Sequence, residues 1–182
     1  AWPPTCRICI YGDYDCDGVT ATVILYSYLL ELGADVTYRI PERDEGYGLN
    51  TNAVREMHED GVELIVTVDN GITALEEAEL IAELGMTLVI TDHHQPLETL
   101  PRAAAIVDAH RADDTSPFHD LCGAGVALAA RVWVMASSAT LVIEVSISGS
   151  IWPPSSSNRP ARPGETADVF MGFSIASFSR PT

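Results

Sequence analysis

The chain has 182 residues, 47% of them hydrophobic, which is room for one ordinary domain with a buried core plus a tail. Its 10 basic residues are all Arg and face 26 acidic ones, for a formal charge of −16. That charge excludes a surface that attracts polyanions over its whole extent, so a nucleic acid must be met locally, by metal ions or by a basic segment.

In chain order, residues 7–11 form a β-branched, Cys-containing run ending in Gly12-Asp13, a buried strand. Cys6 and Cys9 have the spacing of a zinc half-site or a redox motif, but no second pair follows. On a strand they point to opposite faces, so they read as thiols of a reduced, cytoplasmic protein. Residues 19–32 carry apolar side chains at helical spacing and stop at Gly33. A second strand covers 35–40, ended by Pro41, and a loop follows at Gly46-Tyr47-Gly48. An acidic helix then runs to about Asp60 and stops at Gly61. Strands at 63–68 and 86–91 flank a helix at 73–84, and 103–107 reads as a fifth strand. This alternation predicts an α/β fold: an open, mainly parallel sheet with helices on both faces. The apolar stretch 126–143 is interrupted by Arg131 and several hydroxyl residues and makes a weak membrane span. No signal peptide is visible, and the opening Ala reads as that of a fragment.

Beyond about residue 130 the character changes. The last segment is rich in Ser and Pro, including Pro153-Pro154-Ser155-Ser156-Ser157, and only Glu144, Glu165 and Asp168 of the acidic residues lie there. The expectation is a domain over 1–130 followed by an irregular, divergent tail over 131–182, either disordered or translated out of frame.

Three clusters follow directly on predicted strands: Asp13-Tyr14-Asp15-Cys16-Asp17-Gly18, Asp69-Asn70-Gly71 and Asp92-His93-His94. In an open parallel sheet, ligands bind outside the carboxyl ends of the strands, so the clusters converge on one edge. Carboxylates gathered there repel one another unless protons or cations neutralise them. Mixed carboxylate and imidazole donors suit Mn²⁺, with Mg²⁺ or Zn²⁺ as alternatives, and two such ions sharing a bridging carboxylate serve phosphoryl displacement. Each cluster has a plainer reading on its own. The first opens like a calcium loop, although Ile24 stands where the closing Glu belongs. Asp69-Asn70-Gly71 alone is a turn, and Asp92 alone is a helix N-cap.

With these residues in place, the chain resembles the DHH phosphoesterase superfamily. The resemblance rests on Tyr11-Gly12-Asp13-Tyr14-Asp15-Cys16-Asp17-Gly18, Ile40-Pro41-Glu42-Arg43, Glu45-Gly46-Tyr47-Gly48-Leu49-Asn50, Asp69-Asn70-Gly71-Ile72, Thr91-Asp92-His93-His94 and Asp120-Leu121-Cys122-Gly123-Ala124-Gly125-Val126-Ala127. It covers about residues 6–130, and the Glu-Gly-Tyr-Gly-Leu segment favours the branch that degrades single-stranded DNA. The resemblance implies two ions, Mn²⁺ or Mg²⁺, held by Asp15, Asp17, Asp69 and His93, with Asp69 bridging and Asp13 a further ligand. It places His94 against the scissile phosphate, and Arg43 with Gly46, Tyr47 and Gly48 on the substrate side. For Arg43 an ion pair to Glu42 or Asp44 stands as the alternative. The family's fourth aspartate motif has one counterpart here, Asp168, in an otherwise dissimilar stretch. Single-stranded DNA or a short oligonucleotide is the implied partner, with a single-strand-binding protein or a helicase beside it and no membrane. Two other functions follow: hydrolysis of oligonucleotides, cyclic dinucleotides or pyrophosphate within the same superfamily, or a truncated, catalytically inactive module.

Overall fold

The structure is a computed structural model and describes residues 6–114, 119–137 and 140–147. Five strands pair in parallel: β1 (Arg7–Tyr11), β2 (Asp35–Arg39), β3 (Leu64–Val68), β4 (Thr87–Thr91) and β5 (Ala105–Val107), in the order β2-β1-β3-β4-β5. Helices α1 (Cys16–Glu31), α2 (Thr51–Glu59) and α3 (Leu75–Glu83) are the crossovers, and α4 (Gly123–Ala129) follows β5. The expected α/β fold is therefore present, with boundaries shifted by a few residues. The largest shift is at α1, which starts at Cys16 because Asp15 caps it, the side chain accepting the N–H of Gly18 at 2.9 Å. Asp17 thereby falls in the first helical turn.

Alternation along the strands divides the core into two layers. Ile8 and Ile10 of β1, with Leu64, Val66 and Val89, meet Ala21, Leu25 and Leu29 of α1 and Ala127 of α4. Cys9, Tyr11, Ile65, Leu88 and Ile90 face the other way, onto Ala53, Val54 and Met57 of α2 and Ala78 and Ile81 of α3. Cys9 and Cys6 accordingly pack into different layers, and burial pushes the Cys9 thiol up to about 11. A central strand needs apolar residues on both faces, and β3 (LIVTV) is buried at all five positions.

The chain runs from β1 through α1 to β2 on one side and then from β2 through α2 back past β1 to β3 on the other. The crevice between the carboxyl ends of β1 and β3 is thus the topological switch point.

Two differences concern the chain after α4. Strands β6 (Ala130–Ser137) and β7 (Thr140–Ile147) pair antiparallel where an irregular tail is expected. The sequence there places Val, Leu and Ile at alternate positions, the period of a strand and not of a helix. The stretch 126–143 is consequently shared among α4, β6 and β7, and among the described residues no helix is long and apolar enough to cross a membrane. The Pro153–Ser157 run and Asp168 lie outside the described residues.

Candidate metal centre

Asp13 follows β1, Asp69 follows β3 and Asp92 follows β4, and all three are buried. The turn that aims Asp69 is unusual: φ is 62°, in a region where side chains other than Asn and Asp are strongly disfavoured. Asn70 beside it is fully buried and donates to the carbonyls of Val68 (2.9 Å) and Tyr11 (3.3 Å). Asp69-Asn70-Gly71 therefore ties β3 to β1, which is more than a surface turn does.

Asp92 is no helix cap. Its Oδ1 accepts the N–H groups of His93 (2.7 Å) and His94 (3.2 Å), and it lies 2.7 Å from His94 Nδ1. Its Oδ2 accepts the N–H of Ile72 at 2.9 Å. Four donors on one buried carboxylate lock the loop that carries both histidines. Together the Asp92 hydrogen bond and charge raise the His94 pKa above its ordinary value against the opposing effect of burial.

Ligand-capable atoms of Asp69, His93 and His94 lie within 4.8 Å of one another, as do those of Asp13, Asp15 and Asp69. Asp69 belongs to both sets. His93 Nε2 stands 3.0 Å from Asp69 Oδ1, yet that oxygen, like Asp13 Oδ1, is buried without a hydrogen bond. Two electron-rich atoms at hydrogen-bond distance but off the hydrogen-bond angle suit a shared cation better than a shared proton. Burial, followed by the charges of Asp17 and Asp15, pushes the Asp69 carboxyl up to about 7; burial also raises that of Asp13. A divalent cation relieves both effects, and the oxygen and imidazole donors fit Mn²⁺ or Mg²⁺.

Asp17 is placed differently from its neighbours. Its carboxylate accepts the N–H groups of Gly123 (2.7 Å) and Ala124 (2.8 Å) at the start of α4, and stands 3.6 Å from His93 Nε2. Burial works to raise its pKa, but these amides and the Cys122 thiol hold it below the usual range. The α4 entry presses directly on the centre: a Cβ at Gly123 would lie 2.3 Å from Asp69 Oδ1. Position 123 therefore has room for nothing larger than glycine.

On the β2 side, Arg43 stacks over the Tyr14 ring at 5.5 Å and makes no ion pair with Glu42 or Asp44 among the described residues. Tyr47, between Gly46 and Gly48, brings its hydroxyl 3.2 Å from His94 Nδ1 and 3.3 Å from the Asp69 carbonyl. Asp108, at the end of β5, went unnoticed in the sequence although it obeys the same acidic-after-strand rule. It is buried, accepts the N–H of His110 at 2.8 Å, and leaves Oδ2 without a partner.

The DHH family, N-terminal domain, matches residues 7–148. The single-stranded-DNA-specific exonuclease RecJ of Bacillus subtilis is 49% identical over 122 residues, which cover 66% of this chain and 16% of that protein. The Escherichia coli protein of the same name is 42% identical over 123 residues, 66% of this chain and 21% of its own. Exonuclease RecJ bound to manganese superposes with a TM-score of 0.61 and 42% identity, over 68% of this chain and 31% of that one. RecJ in complex with Mn²⁺ from Thermus thermophilus has a TM-score of 0.55 and 39% identity, over 68% of this chain and 17% of that one. The chain spans only 16% to 22% of the length of the first five curated relatives it matches.

Proposed function

The chain belongs to the DHH family, and from that premise we propose that it is the metal-binding part of a phosphoesterase that hydrolyses single-stranded DNA from the 5′ end with two divalent cations, Mn²⁺ or Mg²⁺. The observation that carries the reading is Asp69, a buried carboxylate common to two ligand sets, with an oxygen that makes no hydrogen bond. Asp13, Asp15 and Asp69 would hold one ion; Asp69 and His93, with His94 as ligand or phosphate contact, the other. Each Asp17 oxygen keeps a second lone pair beside its amide partner, so Asp17 can ligate while it anchors α4. Asp168 remains a candidate on the resemblance alone.

Two cations in such a site supply Lewis acidity toward the attacking and the leaving oxygen of an in-line displacement. The residues of the chain do the rest. Asp92 orients His94 toward the phosphate, and Arg43 exchanges the Tyr14 face for a phosphate oxygen, which its planar fork matches. The loop of Gly46, Tyr47 and Gly48 closes the substrate side. The domain carrying these residues covers 1–130. It works in the cytoplasm on single-stranded DNA or short oligonucleotides, alongside a single-strand-binding protein or helicase.

The formal charge of −16 favours a second reading, a phosphodiesterase for short oligonucleotides or cyclic dinucleotides, or a pyrophosphatase, because a small substrate meets less long-range repulsion. Mn²⁺-dependent cleavage of 5′-labelled single strands separates the two. Asp69→Ala should lower that cleavage by roughly 10³-fold or more, since removing even one preorganised electrostatic partner costs about that much. Full activity in the variant would end the bridging assignment. Turnover of a dinucleotide but not of long strands selects the second reading, and Mn²⁺ binding by calorimetry without any hydrolysis selects an inactive module.

A further inference from the structure

Tyr11, the last residue of β1, is fully buried, and its hydroxyl has both its partners in the segment that joins β2 to α2. It donates to the Gly48 carbonyl at 3.1 Å and accepts from Asn50 Nδ2 at 3.4 Å. Gly46 and Gly48 have φ of 93° and 81°, conformations that side chains rarely adopt, and they set Tyr47 between two turns of one specified shape. The outer limb of the loop is held separately, where Glu45 pairs with Arg39 at 3.1 Å and accepts the N–H of Glu42 at 2.8 Å. Tyr47 itself is 55% exposed, so packing fixes it weakly. The backbone on either side decides where its hydroxyl meets His94.

We propose that Tyr11 is a positioning residue, whose buried hydroxyl holds the Gly48 carbonyl and thereby sets Tyr47 against His94. The inference rests on the reading of Tyr47 and His94 as the substrate side of the centre, because only then does the placement matter for turnover. Asn50 belongs to the same device: its Oδ1 caps α2 through the N–H of Ala53 at 2.8 Å while its Nδ2 reaches Tyr11, so the hydroxyl sits between the loop and the helix that follows it.

Tyr11→Phe keeps the ring and removes only the hydroxyl. In the full chain we expect the carbonyl carbon NMR signal of Gly48 to move, because that oxygen loses its donor, while the signals of the rest of β1 and β3 are unchanged. The His94 ring NMR signal should move toward its position in Tyr47→Phe, and Mn²⁺ affinity by calorimetry should stay within about twofold. On 5′-labelled single strands KM should rise roughly five- to tenfold with kcat nearly constant, the signature of lost uniform binding. An unchanged Gly48 carbonyl signal together with an unchanged His94 signal overturns the proposal, and so does a change of signals along the whole chain. If the unsubstituted chain cleaves nothing, the phosphoesterase reading fails, while the Gly48 carbonyl and His94 ring signals still decide the role of Tyr11. Should Tyr11→Phe fail to fold, the unsubstituted chain decides: the Tyr11 hydroxyl proton should exchange slowly and show an NMR cross-peak to the loop around Gly48, and a rapidly exchanging hydroxyl with no such cross-peak would equally sink the idea.

Discussion

The two ends of the one sheet treat charge in opposite ways. At the amino end Arg7 meets Asp35 at 3.2 Å with both side chains about half exposed, and its guanidinium also donates to the Asp60 carbonyl at 2.7 Å. Each of these charges keeps water, and each has a partner. At the carboxyl end Asp13, Asp69, Asp92 and Asp108 are almost completely removed from water, and three of the four leave an oxygen without a hydrogen bond. Only Asp92 is saturated, and it serves as the frame. A fold selected for stability alone would not collect carboxylates this way, because burial and mutual repulsion both disfavour the charged form. The arrangement makes sense as a centre that cations complete.

Breaking the frame should have the largest effect on stability. Asp92→Ala leaves three backbone N–H groups and the His94 ring without their acceptor, and we expect a loss of roughly 3–5 kcal/mol in urea unfolding at pH 7, as for a buried charge network deprived of one member. A change below about 1 kcal/mol would mean that something else holds the histidine loop.

The pH dependence sharpens the contrast next. Asp69 is pushed from an ordinary value of 3.8 to about 7 by burial and then by the Asp17 and Asp15 charges. Between those values the native state binds more protons than the unfolded chain, so stability of the metal-free protein must fall as pH rises through that window. The drop should be of order 2–4 kcal/mol, should flatten in Asp69→Asn, and should be offset by saturating Mn²⁺, which binds the native state. Unfolding midpoints in EDTA that stay level from pH 4 to 7 would contradict it. Smallest of all should be Arg7→Ala at the other end, below roughly 1 kcal/mol at pH 7, because exposed ion pairs contribute little. A loss above about 2 kcal/mol there would erase the difference between the two edges.

Much of this was legible in the primary structure. Five strands and the crossover helices declare themselves through period and punctuation, and the rule that ligands gather past the carboxyl ends of parallel strands was enough to bring the segments 13–18, 69–71 and 92–94 to one edge, while the choice of ligands among them came from the family resemblance alone. The strand pair β6–β7 was not legible as helical rhythm because the period of that segment is two. Asp108 was less legible because β5 is only three residues long and its strand period barely shows, so the acid after it reads as part of a loop.

The pairing of roles was beyond the sequence. Asp15 and Asp17 share a motif and a residue type, yet one sits with Asp13 and Asp69 while the other takes two amides from α4, a helix more than a hundred positions away. Asp92 and Asp69 are both buried acids after strands, yet one is saturated and the other has an oxygen with no hydrogen bond. Local sequence determined which side chains arrive at the sheet edge, because strand period and turn chemistry act over a few residues. Which of them keep free lone pairs was decided by backbone donors that only the folded chain brings within about 3 Å, since hydrogen bonding is short-ranged and indifferent to distance along the chain.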